Sequence, residues 1–581
     1  MPFDIKMPPV TSGAGKEAYR YEEKSDFTGG LNLRADQFNL APNESPAMLN
    51  VEVDPRGGVR RRDAVTKINS TALSDDIVSL FTHYEAAQNQ IIASVNPSTA
   101  PSTTEMYWNE NASGDFAGPM ARTDGTLVFS GSQPATGVTF NGYTYIVNGN
   151  MLAAPHSTGA AIKWHGDNVL PGSYPGYLTP DLDGTDGHFP CARYVTTWNE
   201  HVWAAYTEEL IDGTQKNRLR WSKTSDAENW TATHYVDIDI GEDGDHITGI
   251  LPDQNRLLVF KENSVYEVLG FNTDNFQVRN ISRTAGNMDG CTPINTTIGV
   301  FFWFAEDGLF LLRDQTLAWV FERIKPAMTY AVGQPALTTT VVPSMMWFDE
   351  RLWLSVNYQS DDNLSGSNQT NRRNTLVWDP SLGATGGWVR HDINARSLLA
   401  YRPTNDTHYG IAATSVIDAP VSFDRISKVD QNFDVDNYDS SATEIVSYYQ
   451  TGWFEGNRPT FPKRWGKTRS VLLADADLQI YQYVYKDYNL AGWVESLTGS
   501  VTGLSSPSTW DSDPSGSGTG VWDTSEWQAE GTEDNYVLAR WSSIGTAVAI
   551  SLRFAVIPTV SYRGKWGVTS IIGMYRTRRL R

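Results

Sequence analysis

Phe140-Asn-Gly-Tyr-Thr-Tyr145, Trp198-Asn-Glu-His-Val-Trp203 and Phe348-Asp-Glu-Arg-Leu-Trp353 repeat one pattern: a bulky residue, an Asn or Asp turn, then an apolar run. Looser copies stand at Gln88-Asn-Gln-Ile-Ile92, Gln254-Asn-Arg-Leu-Leu258, Glu306-Asp-Gly-Leu-Phe310 and Asn405-Asp-Thr-His-Tyr409. From 89 to 406 the turns advance in six steps of about 53 residues each. An Asn-Gly or Asp turn between two β-type runs makes a hairpin. A hairpin returning at this interval fits a blade of four strands. One small sheet cannot bury both of its faces, but sheets packed radially bury one another's and leave only short edges. The expectation is an all-β chain built on a β-propeller of about seven blades, with six or eight also compatible. A sandwich of regularly spaced hairpins is the competing arrangement.

The rest of the chain agrees with all-β. Runs such as Ser264-Val-Tyr-Glu-Val-Leu269 and Gly299-Val-Phe-Phe-Trp-Phe304 are short, β-branched or aromatic, and bounded by turn formers. The spacing predicts an N-terminal arm and first strands over 1–70, the propeller over 71–435 and a C-terminal β-sandwich over 436–581. The first ~26 residues carry no strand pattern. Residues 434–444 form an acidic loop, and 498–535 a Ser/Gly-rich one. Longer alternating strands are expected at Leu478–Tyr485 and Ala547–Phe554.

Composition narrows the function. Among 581 residues, 46 Lys+Arg against 67 Asp+Glu give a formal charge of −21, and 12% are aromatic, including 20 Trp. Aromatic area on that scale excludes a disordered polyelectrolyte. The acidity argues against wrapping phosphates, which needs clustered Lys and Arg. Two cysteines, Cys191 and Cys291, make no disulfide framework and read as small buried hydrophobes. Met1-Pro-Phe-Asp-Ile-Lys6 lacks the apolar run of a secretory signal. The apolar stretch from Ile298 to Ala305 is far below the ~20 residues that span a bilayer. The expectation is a soluble protein made in the cytoplasm, without membrane insertion.

A family resemblance sits on several of these segments. Phe27-Thr-Gly-Gly-Leu-Asn32, Leu40-Ala-Pro-Asn-Glu-Ser-Pro46, Leu49-Asn50 and Gly57-Gly-Val-Arg-Arg-Arg62 follow one another in the order seen at the start of tailed-bacteriophage virion proteins. Arg218-Leu-Arg-Trp-Ser222, Asn229-Trp230, Leu257–Tyr266 and Glu306–Phe310 look like blade signatures of the same group, and Thr451-Gly-Trp-Phe454, Lys463-Arg-Trp465 and Tyr575–Arg581 also fit. The chain thus resembles the tail nozzle, or tail tubular protein B, of short-tailed phages. The resemblance implies a structural virion protein assembled in the host cytoplasm. It also implies six copies in a ring on the tail adaptor, around a channel through which DNA leaves without specific binding. An acidic wall would repel phosphate and let DNA slide.

Chemical motifs point elsewhere only weakly. Neither His-Glu-x-x-His nor a phosphate-binding P-loop is present, and Gly516-Ser-Gly-Thr-Gly520 has Gly where a nucleophile elbow needs Ser. Asp181, Asp183 and Asp186 are spaced as a Ca²⁺ loop would space them, without the Glu that completes an EF-hand. Asp434, Asp436 and Asp439, and Asp243 with Asp245, are further acidic loops. A solvated turn is the simpler reading of each, and no cofactor is expected. Ser225-Asp-Ala-Glu-Asn-Trp230 is a partial sialidase box that lacks its Gly and occurs once, so the chain is expected not to be an enzyme. A receptor- or glycan-binding tail-tip protein is the alternative function, and a polysaccharide-degrading enzyme stands behind it. Arg60, Arg61, Arg62, Arg576, Arg578, Arg579 and Arg581 are basic islands, read as assembly contacts to acidic faces of neighbouring subunits.

Overall fold

A computed structural model describes residues 20–577, apart from 37, 70–72, 74–75, 85–88, 123, 167–175, 179–188, 210–211, 240–244, 274, 327–341, 359–371, 384–386, 405–406, 416–423, 430–434, 437–442, 457–458, 475–477, 490–494, 502–535 and 557–565. Among these residues the chain is all-β, with one short 3-10 turn at Pro380–Leu382. Seven four-stranded antiparallel sheets form the blades. Their innermost strands are Asp76–Tyr84, Thr136–Phe140, Cys191–Trp198, Ile247–Asp253, Ile294–Thr296, Ser344–Phe348 and Ala395–Thr404, for blades 1 to 7 in order. Each innermost strand packs on the next, and that of blade 7 packs on that of blade 1, so the ring closes. Blade 7 takes its outermost strand, Val65–Lys67, from ahead of the whole propeller.

The period-2 pattern of the strands explains this packing. In blade 5, Val300, Phe302 and Phe304 face blade 4 with Leu258 and Phe260. The alternate residues Phe301 and Trp303 face blade 6 with Leu352 and Trp353. Each blade is therefore apolar on both faces, as a sheet buried on both sides must be. Trp164, Trp203, Trp303 and Trp388 are fully buried between blades.

The repeated turn does the work its residues suit it for. Phe140 pairs with Tyr143, Trp198 with His201 and Phe348 with Arg351, leaving two-residue turns at the first hairpin of blades 2, 3 and 6. Both central residues have positive φ: Asn141 and Gly142, Asn199 and Glu200, Asp349 and Glu350. That geometry matches the twist of the flanking strands. The copy at 254 also falls at a first hairpin, between Asp253 and Arg256, while residues 88, 405 and 406 of two further copies lie outside the described residues. Glu306-Asp-Gly is different: it joins the second and third strands of blade 5, Gly299–Phe304 and Gly308–Arg313.

The C-terminal part is a β-sandwich, and the N-terminal strands from Arg20 onward are built into it; residues 1–19 lie outside the described residues. Trp566–Thr577 and Lys463–Ala474 lie at the centre of one sheet, flanked by Tyr536–Ala547 on one side and by Val59–Arg61 and then Val51–Val53 on the other. Arg20–Lys24 adds to Trp566–Thr577 as a further strand, although residues 20–24 carry no apolar alternation. The second sheet runs Met48–Leu49, Ser447–Gln450, Ile550–Val556, Leu478–Lys486, Glu495–Val501. Residues 498–501, expected in the Ser/Gly-rich loop, thus belong to a strand, and the Ala547–Phe554 stretch divides between two strands at 548–549. One continuous core joins the sandwich (Trp465, Phe554, Trp566) to blades 5 and 6 (Trp303, Leu354, Trp388).

Candidate functional site

Two groups of polar side chains stand out, one at the joint between sandwich and propeller and one at a mouth of the propeller axis. The joint is organised by Asn50, which is fully buried with φ of 52°. Its amide N–H donates to the Arg390 carbonyl (2.8 Å) and its Nδ2 to the Val446 carbonyl (2.8 Å). Its Oδ1 accepts from Arg62 Nε (2.8 Å) and from the Asp392 amide (3.0 Å). Arg62 continues to Asp392 Oδ1 at 3.1 Å and to the Asp63 carbonyl at 2.9 Å. Three distant segments, around 50–62, 390–392 and 446, are thereby tied at one point.

The neighbouring motif residues serve the same joint. Gly30, with φ of +64°, lies against the backbone of Trp388 in blade 6. Asn32 Nδ2 donates to Glu44 (2.9 Å), which also pairs with Arg323 at 3.0 Å. Ser45 Oγ donates to the Gln450 carbonyl at 2.7 Å. Glu52 accepts from Arg60 at 3.3 Å and pairs with Arg351 at 3.4 Å, and Arg351 reaches Asp379 at 3.2 Å.

This placement corrects the reading of two candidate arginines. Arg61 and Arg62 are 3% and 1% exposed, inside the chain's own joint, so they are not available to a neighbouring subunit. A basic run reads as surface because a lone buried charge is costly; here Asn50 and Asp392 offset that cost. Arg60 is exposed. Arg576 sits in the ladder opposite Arg464. Arg578, Arg579 and Arg581 lie outside the described residues, as do Asp181, Asp183, Asp186, Asp243, Asp434 and Asp439. Asp436 falls in the short strand Val435–Asp436. Asp245 accepts from the Asn263 amide (3.1 Å) and Ser264 Oγ (2.8 Å). Among the described residues no group of three or more His, Cys, Asp or Glu is placed to hold a metal ion.

The second group lies where the innermost strands of blades 2 to 5 begin. Arg193 donates to Gln133 Oε1 (3.0 Å) and pairs with Asp289 (3.0 Å). The Tyr194 hydroxyl donates to the same carboxylate at 2.7 Å. His246 lies 3.8 Å from Asp289 and 3.5 Å from Glu262, with the Tyr206 ring edge-on at 5.5 Å. Burial alone would raise the Asp289 carboxyl, but His246, the Arg193 charge and the Tyr194 hydroxyl outweigh it and hold it at about 2. The result is a fixed negative charge that braces blades 2, 3, 4 and 5 across one end of the axis. Sequence reasoning missed this group. No regular spacing marks it: Gln133, Arg193, His246 and Asp289 are separated by 60, 53 and 43 residues and differ in residue type.

No protein-family model matches the chain, and no curated protein matches it. Solved structures do. BamB from Moraxella catarrhalis is 8% identical over 71% of this chain and 99% of its own, with a TM-score of 0.34. A glycoside hydrolase family 43 arabinoxylan arabinofuranohydrolase from Bacillus subtilis is 10% identical over 88% of this chain and 97% of its own, with a TM-score of 0.24. An exo-β-1,3-galactanase from Phanerochaete chrysosporium is 10% identical over 69% and 97%, with a TM-score of 0.23. The expectation that the chain is not an enzyme is corrected: glycoside hydrolases stand among the similar structures. At this degree of likeness no substrate or catalytic residue carries over.

Proposed function

We propose that the chain is a structural subunit of a phage tail, a nozzle-like protein whose copies close into a ring, six by resemblance, around the path of outgoing DNA. The observation that carries this reading is where the resembling residues lie. Gly30, Asn32, Glu44, Asn50 and Arg62, taken from the motifs that suggested the family, are spent on locking the sandwich to the propeller. The residues that suggest the family are thus the ones that hold this chain's two parts together, which supports the reading. A rigid two-part subunit suits a ring that must withstand the passage of DNA.

The propeller axis does not serve as the DNA path. Neighbouring inner strands approach within 8 Å between Cα atoms at seven stations around it. A ring closed in seven such short steps, and narrowed further by its side chains, leaves no room for a DNA duplex. The conduit runs between copies, where a formal charge of −21 per chain repels phosphate. The partners of this reading are further copies, the tail adaptor and passing DNA held without specific contacts; the location is the virion tail.

Light scattering with negative-stain class averages, on the protein alone and with its adaptor, tests the proposal. A six-fold ring with an open centre is the expected result. A chain that stays monomeric with the adaptor and is retained on a glycan array would replace it with the glycan-binding reading.

A further inference from the structure

His391 ends the outermost strand of blade 6, Gly387–His391, and is completely buried inside the joint. Neither ring nitrogen makes a well-formed hydrogen bond, although the Val51 backbone faces the ring. The Trp353 ring closes one side edge-on at 5.4 Å. The charged groups around it come from both bodies. Blade 6 and the turn after it supply Arg351, Asp379, Arg390 and Asp392; the N-terminal strands supply Glu52, Arg60, Arg61, Arg62 and Asp63. The carboxylates are taken: Asp392 by Arg62, Asp379 by Arg351, and Glu52 by Arg351 and Arg60. A proton arriving on His391 would be opposed by two guanidinium groups, Arg62 and Arg351.

We infer that the joint is a pH-sensitive latch, in which acid favours a form with the strand end at His391 parted from Val51–Val53, so that the imidazole reaches water and takes up a proton. This inference is independent of the phage reading. Burial first, and the Arg62 charge second, hold the closed imidazole neutral well below the range where a solvated histidine titrates. The open form binds the proton at about pH 6.5. Between those two values the open form carries more protons than the closed one. The opening constant therefore rises as pH falls below about 6.5, by up to tenfold per pH unit, and levels off once the closed form also protonates. Other clusters of titratable groups lack this arrangement: Asp289 and Asp245 are both fully partnered.

Hydrogen exchange on the full chain between about pH 7.5 and 5 tests the latch, read as protection factors so that intrinsic exchange is already divided out. Peptides over 48–62 and 387–394 should lose up to tenfold protection per pH unit below about pH 6.5, while the inner strands of blades 2 and 3 hold theirs. His391→Gln, which cannot take up the proton, should remove that slope. Equal slopes at the joint and in blades 2 and 3 would overturn the inference in the unmodified protein alone, even if the variant fails to fold. A slope that survives His391→Gln would overturn it as well.

Discussion

Gly30 has no room for a side chain. A Cβ there would come within 2.8 Å of both the Trp388 amide nitrogen and its carbonyl oxygen, at a φ of +64° that L residues rarely adopt. Gly30→Ala should destabilise the protein by about 2–3 kcal/mol, read from denaturant unfolding. Arg62 and Arg60 give a sharper contrast because the sequence presents them as equals. Arg62→Met strips Asn50 and Asp392 of a buried donor and should cost about 2–3 kcal/mol. Arg60→Ala, at an exposed pair, should change stability by less than about 0.5 kcal/mol. Equal losses from the two would contradict the assigned geometry. Asp289 adds a pH dependence. Its carboxyl is held at about 2 when folded, so its contribution is complete above about pH 4 and fades as pH falls toward 2. Asp289→Asn should flatten that acid limb in urea melts, by about 1 kcal/mol because the carboxylate is one-third exposed. None of this was legible from residue type. A Gly-Gly pair, a run of three arginines and a scattered Asp look the same in sequence whether they face solvent or another segment 300 residues away.

Hairpins were the most legible elements, because their chemistry is local. Asn141-Gly142, Asn199-Glu200 and Asp349-Glu350 carry both the turn preference and the positive φ that a two-residue hairpin needs. Glutamate is a poor tenant of that conformation. Glu350→Gly and Glu200→Gly should each stabilise the fold by about 1 kcal/mol, seen as raised unfolding midpoints, because a glycine avoids the left-handed penalty. The strand Arg20–Lys24 shows the opposite case. Arg-Tyr-Glu-Glu-Lys carries no apolar alternation, since its partner Trp566–Thr577 supplies the ladder and only Lys24 turns inward to donate to the Trp453 carbonyl at 2.8 Å. The turn copy at Glu306 misled in a third way. Asp-Gly suits any tight hairpin, so its chemistry fixes a turn and leaves open which pair of strands it joins.

At the scale of the molecule, seven blades were countable because each is a local unit, whereas the sandwich is assembled from both ends of the chain. The core that runs from the sandwich through blades 5 and 6 is continuous while the His391 joint is closed, as it is near neutral pH. Calorimetry near neutral pH should therefore show the sandwich and those blades unfolding in one transition; two well-separated transitions would refute the shared core. The interleaved ends also set an order on the making of the protein. On the ribosome, the strands at 20–61 emerge first; Val51–Val53 can pair with Val59–Arg61 and Gly30–Leu31 with Glu44–Ser45, but their partners within 447–577 come last. Val65–Lys67 likewise waits for Asp424–Val429. A chain cut short before Val429 lacks a complete blade 7, and one cut short before Trp566–Thr577 lacks a central strand of the sandwich; either exposes open strand edges to the cell's proteases. Arrival of Trp566–Thr577, which joins the N-terminal strands to Lys463–Ala474, is thus the event that closes the fold, and a copy lacking it stays open to degradation.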